Sequence, residues 1–232
     1  MKKRARYPAK ISGPILPPII ERQRLFRDLD LALARPVVWI RGRPGAGKTT
    51  LVTSYLKNRH RASVWYQLDK GDGDIATLFH YLGLASQKAA PRFKTTLPHL
   101  TPEYLLDLPT FTRRFFEKFY ERLSPASTLV LDNYHEVPLT SNLHEVLEVG
   151  LSQIPDGIRI IIVSRTSPPP TFARLQATQI LASFDEDALA LQPDESKTIV
   201  RVHAGVNGWH PTSIQLAQLH NKANGWMAGW LV

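Results

Sequence analysis

The chain has 232 residues, of which 43% are hydrophobic, and this suits one α/β domain of ordinary size plus a smaller unit while excluding a disordered chain. It contains no cysteine, which excludes a disulfide framework, zinc fingers and thiolate metal sites. No apolar run approaches the roughly 20 residues of a membrane-spanning helix, and the start lacks the apolar stretch of a signal peptide. We therefore expect a cytoplasmic protein without a membrane partner.

The formal net charge is +9, but dense positive charge occurs only near the N-terminus, at Lys2, Lys3, Arg4 and Arg6. Scattered Pro, Gly and Lys without a regular period predict that residues 1–18 form an extended basic segment. A solvated terminus is the interpretation that we favour for this segment, and an arm that contacts nucleic acid is the alternative.

Strand and helix patterns alternate over residues 19–183, which we predict to be one domain. Short apolar runs predict strands at 37–40, 63–68, 128–131, 159–163 and 179–182. Helices are predicted at 21–34, 48–57, 74–84, 109–123, 143–151 and 172–177, and a long loop at 87–108. This alternation predicts an α/β fold with a parallel sheet that is covered by helices on both faces.

Residues 184–232 are predicted to form a helical subdomain, because the strand pattern stops there. Helices are predicted at 194–203 and 211–222, and a last one begins near Met227. That helix would end on the apolar residues Trp230, Leu231 and Val232. We therefore expect the subdomain to be truncated and the sequence to be part of a longer protein.

Residues 42–49, GRPGAGKT, match the GxxxxGK[ST] pattern of a phosphate-binding P-loop. Glycines let successive N–H groups turn toward phosphate oxygens, and the following helix adds the positive end of its dipole. We expect Lys48 at the β- and γ-phosphates, the Thr49 hydroxyl on Mg²⁺ and Thr50 at the α-phosphate. The predicted nucleotide-binding residues are Gly42, Arg43, Pro44, Gly45, Ala46, Gly47, Lys48, Thr49 and Thr50. A glycine-rich turn that matches by chance is the alternative.

Two of the predicted buried strands end in charged residues that suit the same site. Asp132 follows the strand at 128–131 and is predicted to be the Mg²⁺-binding Walker B carboxylate, the alternative being an Asp that only ends a strand. Arg165 follows the strand at 159–163, and its guanidinium is predicted to sense the γ-phosphate, with a surface arginine as the alternative.

Four segments resemble the STAND class of signal-transduction ATPases and, within it, the maltose-regulator (MalT) type of LuxR-family transcriptional activators. They are PPIIER at 17–22, LVLDNYHEV at 129–137, SRTSPP at 164–169 and NGWMAGW at 224–230. The resemblance covers nearly the whole chain. It implies a nucleotide-operated switch that is closed with ADP and that opens for self-association with ATP and inducer. It also implies a DNA-binding helix-turn-helix in a later domain that this sequence does not contain.

Transferred residue by residue, the resemblance implies that residues 42–49 bind the phosphates of ATP or ADP and that Asp132 serves Mg²⁺. It further implies that Arg165 is the sensor arginine and that Ile20 and Arg22 lie beside the adenine.

Two positions depart from the family pattern. Asn133 stands where the family usually has a second acid, and an amide cannot accept a proton from the attacking water, so we expect slow or impaired hydrolysis. Glu136 could act as the base if its turn brought it back, or it could lie on a solvated loop, while His135 is interpreted as structural. Met227 replaces a proline that packs near the base, and its flexible side chain could fill the same apolar gap.

The sequence therefore predicts a regulatory ATPase module of a transcriptional activator. One alternative is an actively hydrolysing P-loop ATPase or a small-molecule kinase, although residues 87–108 contain no arginine cluster for a kinase lid, and Arg92 and Lys94 are sparse there. Another is a nucleotide-binding scaffold that never hydrolyses, which Asn133 would suit.

Overall fold

A computed structural model describes residues 7–17, 19–93, 96–207, 212–223 and 226. Its strands are β1 (Val37–Arg41), β2 (Ser63–Gln67), β3 (Thr128–Asp132), β4 (Arg159–Ser164) and β5 (Leu181–Phe184). Its first six α-helices are α1 (Gln23–Ala32), α2 (Lys48–Asn58), α3 (Ile75–Ala89), α4 (Leu108–Arg122), α5 (Leu143–Leu151) and α6 (Ala173–Ala177). They are followed by α7 (Glu186–Leu189), α8 (Pro193–Asn207) and α9 (Ser213–Ala223).

The strands pair in parallel in the order β2-β3-β4-β1-β5. Val38 of β1 is opposite Ile161 of β4 and Ala182 of β5, so β1 lies inside the sheet. Successive strand residues point to opposite faces, and Trp39 accordingly packs in one core while Ile40 packs in the other. Because both faces are covered, the middle residues of the central strands are all apolar rather than alternating with polar residues. The predicted α/β fold is confirmed.

Helices α3, α4 and α5 cover one side of the sheet, which we call the aromatic face. Its core includes Phe79, Phe111, Phe115, Phe116 and Phe119, all at most 4% exposed. The other side, which we call the P-loop face, is covered by α1 and α2, with Phe26 and Tyr55 in its core. Since burying one phenylalanine side chain stabilises a fold by about 1.5–3 kcal/mol, the aromatic face supplies a large share of the stability.

Local signals explain how α3 and α4 begin. The Asp74 carboxylate accepts a hydrogen bond from the N–H of Ala76, and Asp107 accepts one from Thr110, so each helix has an acidic N-cap. Pro109 occupies the first turn of α4, where a missing N–H has no cost. The four-residue spacing of Phe111, Phe115 and Phe119 then places all three on one buried side of α4, as predicted.

Some element bounds differ from the sequence predictions. Strand β5 spans Leu181–Phe184 rather than 179–182, because Gln179 has a left-handed φ of 58° and its N–H closes α6 on the carbonyl of Gln176. Helix α3 extends to Ala89, five residues beyond its predicted end, and buries Ala85 and Ser86 on the way. The helix predicted near Met227 lies outside the described residues.

After the sheet, α8 and α9 pack together, and Val200 and Leu216 form a small apolar contact of their own. The proposed boundaries of the three units, 1–18, 19–183 and 184–232, stay predictions. Within the described ranges, no helix is both long and apolar enough to cross a membrane.

Candidate functional site

The P-loop connects β1 to α2, and its glycines serve two purposes. Gly45 and Gly47 have left-handed φ values of 74° and 78°, a conformation that glycine adopts without strain. Gly42 is needed for space, since a Cβ atom there would lie 2.8 Å from Cδ1 of Leu189. Gly45 and Gly47 therefore allow the backbone turn of the loop, and Gly42 leaves room for the Leu189 side chain that packs on it.

Lys48 is the first residue of α2, and its side chain folds back into the loop. The ammonium donates hydrogen bonds to the carbonyls of Gly42, at 2.6 Å, and Arg43, at 2.9 Å. Burial lowers the pKa of Lys48 and the charge of Arg165 lowers it further, while the carboxylates of Asp132 and Glu186 act in the opposite direction. A cation held here, beside the first N–H groups of a helix, is an arrangement that binds phosphate oxygens.

Thr49 and Asp132 meet beside Lys48. The Thr49 hydroxyl lies 3.2 Å from each carboxylate oxygen of Asp132, which also accepts the N–H of Asn133 at 3.0 Å. Burial raises the pKa of Asp132, whereas these hydrogen bonds and the charge of Lys48 lower it. A hydroxyl and a carboxylate are ligand types that Mg²⁺ prefers.

The described part of the chain holds no group of three or more His, Asp or Glu side chains that could bind a metal ion by themselves. The oxygen pair of Thr49 and Asp132 fits Mg²⁺ only together with further oxygen ligands, and the phosphates of a nucleotide supply such ligands. Metal binding at this pair is therefore expected to depend on a nucleotide.

Arg165 lies just beyond β4, the strand between those that carry the P-loop and Asp132. Its side chain is exposed, and its charge lowers the pKa values of both Lys48 and His135. The sheet order thus brings Lys48, Asp132 and Arg165 to one edge, as the sequence analysis predicted for residues that follow parallel strands.

Asn133 and Glu136 lie at the two ends of one short turn that follows β3. Asn133 has a left-handed φ of 62° and opens the 3₁₀ turn Tyr134–Glu136. One carboxylate oxygen of Glu136 lies 3.3 Å from Nε2 of His135, and the Glu136 side chain is 35% exposed. Glu136 therefore lies near the predicted site, on a half-exposed turn.

Beside the P-loop, a small cavity lies on the α2 side of the loop. It is lined by Ile19, Ile20, Arg22, Gly47, Thr50, Leu51 and Ser54. Ile20 and Thr50 thus share one cavity next to the loop. The guanidinium of Arg22, however, donates to the carbonyls of Leu189 and Ala190, each at 2.9 Å, and to Glu195 at 2.8 Å. Its main partners lie in the chain that follows the sheet.

Residues 185–195, which we call the clamp segment, lie against the P-loop and the start of α1. Arg43 pairs with Glu186, and Arg41 pairs with Asp185 at 3.0 Å. Further along the chain, the indole of Trp226 donates a hydrogen bond to the carbonyl of Pro44 at 2.9 Å. The sequence analysis did not predict these contacts. The signal available in the sequence was a pair of acidic residues directly after β5, which could pair with the arginines at the end of β1 and in the P-loop.

Comparison with protein families and curated proteins identifies relatives over most of the chain. The family described as Nephrocystin 3, N-terminal, matches residues 21–165. The HTH-type transcriptional regulator MalT of Vibrio cholerae is 26% identical over 229 residues, which cover 91% of this chain and 25% of that protein. MalT of Cronobacter sakazakii is 27% identical over 246 residues, with 94% and 25% covered. The chain thus spans about a quarter of the length of these relatives.

Two solved structures have a similar fold. The Walker-type ATPase PABY2304 of Pyrococcus abyssi superposes with a TM-score of 0.56 at 14% identity, over 92% of this chain and 65% of that one. The ORC1 protein of Aeropyrum pernix gives a TM-score of 0.51 at 12% identity, over 82% and 50%. These likenesses concern the fold alone, and that fold is the one of P-loop NTPases, which implies nucleotide binding. The chain belongs to the Nephrocystin 3, N-terminal, family, as a P-loop NTPase domain with distant similarity to MalT regulators over most of its length.

Proposed function

We propose that the chain is an ATP- and ADP-binding regulatory switch module of a MalT/LuxR-like transcriptional activator, with slow or impaired hydrolysis. One observation carries this proposal. The loop shaped for phosphates is also the loop on which the clamp segment rests, through Leu189 against Gly42 and through the Arg43–Glu186 pair. A ligand of this loop can therefore bias the position of the chain that follows the sheet.

Phosphate binding would use the P-loop and its neighbours. Lys48 would exchange its two carbonyl acceptors for phosphate oxygens, which are stronger acceptors because they are charged. Mg²⁺, held by Thr49 and Asp132, would neutralise phosphate charge. Ile20 supports a place for the base, because it lines the cavity beside the loop.

Coupling to the rest of the protein follows from the partners of Lys48. The carbonyls that receive its ammonium belong to Gly42 and Arg43, the two loop residues that touch the clamp segment. Moving the ammonium toward a phosphate would change the electrostatics at both contacts. A nucleotide can shift this equilibrium only by as much as its affinities for the two states differ, so ATP and ADP must bind the states unequally.

Slow hydrolysis is proposed from the chemistry of residue 133. The Asn133 amide follows Asp132 directly and cannot take a proton from water. Glu136 is the carboxylate available nearby for an actively hydrolysing enzyme, the alternative function. Phosphate release therefore separates the two proposals.

A wider role is proposed from the relatives that are named as HTH-type transcriptional regulators. In a full-length protein we propose self-association in the ATP state and DNA contact through a domain outside this sequence. We also propose that the protein works in the cytoplasm.

The test is calorimetric titration with ATP and with ADP in the presence of Mg²⁺, together with an assay of phosphate release. Lys48→Ala should weaken binding of both nucleotides by about 10- to 100-fold, since it removes a charged hydrogen-bond donor. Lys57→Ala, at an exposed position of the same helix, is the matched control and should leave affinity unchanged. A well-folded wild-type protein that binds neither nucleotide would contradict the proposal. Rapid multiple turnover would favour the alternative function, an actively hydrolysing enzyme.

A further inference from the structure

A cavity of about 480 Å³ lies on the aromatic face, between α3, α4 and the chain segment at 96–100. One side of α3 forms a wall of this cavity, because the wall residues follow one another at spacings of three and four. They are Ala76, Phe79, His80, Gly83, Leu84 and Gln87. The volume lies within the range of roughly 300–1,000 Å³ that is typical of small-molecule sites.

Gly83 stands in the middle of this wall and leaves the space in front of it open. A Cβ atom here would lie 3.7 Å from Cδ1 of Leu97, which is an ordinary van der Waals contact, and the backbone at Gly83 is helical. Neither packing nor backbone conformation therefore requires a glycine. Since glycine inside a helix is less stable than alanine, the fold gains nothing from it, whereas a ligand in the cavity would gain room.

The cavity has an apolar base and a polar opening. Phe79, Leu97 and Phe115 are buried at its base, and the two phenylalanine rings meet edge to face with their centroids 4.7 Å apart. His80 and His99 are exposed at its opening. An apolar base with a few polar groups around it is typical of a site for a small molecule that carries both a ring and a polar group.

The charge of the cavity is positive. Arg122, the last residue of α4, lines it, donates to the Ser86 hydroxyl at 3.1 Å and lies over the Phe93 ring, 5.9 Å from its centroid. The described residues that line the cavity include no aspartate or glutamate. Burial lowers the pKa of Arg122, so an anion in the cavity would stabilise the guanidinium cation. A carboxylate suits this position, because its planar shape matches a guanidinium.

We propose that this cavity binds a small aromatic carboxylate, with the ring against Phe79 and Phe115 and the carboxylate directed toward Arg122. A phosphate ester suits the cavity less well, because a dianion loses more hydration than a carboxylate when it enters a partly apolar space. The base of the cavity belongs to the aromatic face, whereas the helix of the P-loop packs on the other side of the sheet. This inference therefore goes beyond the proposed function and does not depend on it.

The experiment uses three naphthalene probes of similar size and different charge: 1-naphthoate, the neutral 1-naphthalenemethanol and the cationic 1-naphthylmethylamine. Each is titrated into the wild-type protein without nucleotide, while nuclear magnetic resonance follows the histidine rings. 1-Naphthoate should shift the signals of His80 and His99 saturably, with a dissociation constant of about 1 mM or below. It should not shift His60, which follows α2. The alcohol should bind about 10- to 100-fold more weakly because it lacks the charge, and the amine more weakly than the alcohol.

Variants at Gly83 and Arg122 test the two parts of the site. Gly83→Leu fills the cavity and should abolish binding of 1-naphthoate, while Gly83→Ala, whose Cβ atom fits, should weaken binding without lowering the melting temperature. Arg122→Gln should weaken 1-naphthoate by about 10- to 100-fold, to the level of the alcohol, and Arg122→Lys should recover part of the loss. Arg114→Gln, at an exposed position of the same helix, is the matched control and should leave the affinity unchanged.

Four results would overturn the inference. They are the absence of a saturable shift of His80 and His99 up to about 10 mM 1-naphthoate, equal shifts at His60, equal affinities for the three probes, and an Arg122→Gln protein that still prefers 1-naphthoate to the alcohol. Each of them would leave the nucleotide site in place, and failure to bind nucleotide would leave this inference in place. If Gly83→Leu does not fold, Gly83→Ala and the wild-type titrations decide.

Discussion

Two regions of the sheet differ in whether their buried polar groups have hydrogen-bond partners in side chains and backbone. On the aromatic face the Tyr120 hydroxyl donates to the carbonyl of Gly150 at 2.9 Å, and both nitrogens of His144 are bonded. At the edge of the sheet where Lys48 and Asp132 meet, which we call the phosphate edge, Lys48 has only backbone carbonyls as acceptors. The ring nitrogens of His135 have no hydrogen-bond partner among the described residues. The contrast concerns these four side chains. Tyr120 and His144 are satisfied within the fold, whereas Lys48 and His135 keep donors that are available to a ligand.

The largest expected effect is on the aromatic face. Phe116 is fully buried and packs against Phe119 and Tyr120, so Phe116→Ala should destabilise the protein by about 3–5 kcal/mol in urea unfolding. The nucleotide affinity of the folded protein should not change, because this face lies across the sheet from the P-loop. A loss below about 1 kcal/mol, or a changed affinity, would contradict the division between the faces.

Gly150 tests the same packing from the opposite helix. A Cβ atom at this position would lie 2.5 Å from two ring carbons of Phe116, so Gly150→Ala should cost about 1–3 kcal/mol by overpacking. In the Phe116→Ala background the ring is gone, and the cost of the Gly150 change should shrink. Additive effects in a double-mutant cycle would show that the two sites do not meet.

Arg22 is the next test, because it joins the start of α1 to the clamp segment. Arg22→Ala leaves the carbonyls of Leu189 and Ala190 with fewer donors, and it should destabilise the protein by about 1–3 kcal/mol in urea unfolding. Unlike Phe116→Ala, it should also change the ratio of ATP to ADP affinity. Arg27→Ala, at an exposed position of α1, is the control and should alter neither quantity. An unchanged ratio in Arg22→Ala would show that the contacts of Arg22 with the clamp segment do not affect the choice between ATP and ADP.

Acid should weaken the aromatic face through His144. Burial lowers its pKa, although the Pro138 carbonyl raises it, so the unfolded chain binds this proton more readily than the folded protein does. Stability should therefore be complete above the ordinary histidine pKa of about 6.5 and should fall as the pH drops below it. Urea unfolding at about pH 7.5 and about pH 5.5 should show a smaller loss in His144→Gln than in the wild type. An identical loss in both proteins would rule out His144 as the source.

The smallest expected effect belongs to Trp226. Its indole donates to the Pro44 carbonyl in an exposed position where water can replace it, so Trp226→Phe should cost less than about 0.5 kcal/mol. Its fluorescence is the more useful quantity. Nucleotide binding should change the tryptophan emission of the wild type, and that change should be smaller in Trp226→Phe. Equal changes in the two proteins would mean that Trp226 does not report on the loop.

Most of the fold could be predicted from the sequence, because its signals are local. Apolar runs such as the residues of β4 have no other stable place than a doubly covered sheet, and the spacing of Phe111, Phe115 and Phe119 defines one side of a helix. The bounds of β5 were less predictable, because the left-handed backbone conformation before it is adopted by Gln179 and not by a glycine that would indicate a turn.

The location of the P-loop and of the charged residues at the ends of the buried strands could also be predicted from the sequence. A sheet of parallel strands brings the carboxyl ends of those strands to the same edge, whatever the details of packing. Only the tertiary structure decided what each polar group touches. It turned Arg22 toward the clamp segment, gave both ring nitrogens of His144 a hydrogen-bond partner, and left those of His135 without one among the described residues. Hydrogen bonds between residues far apart in the chain depend on three-dimensional distance and direction, and no spacing along the sequence records either.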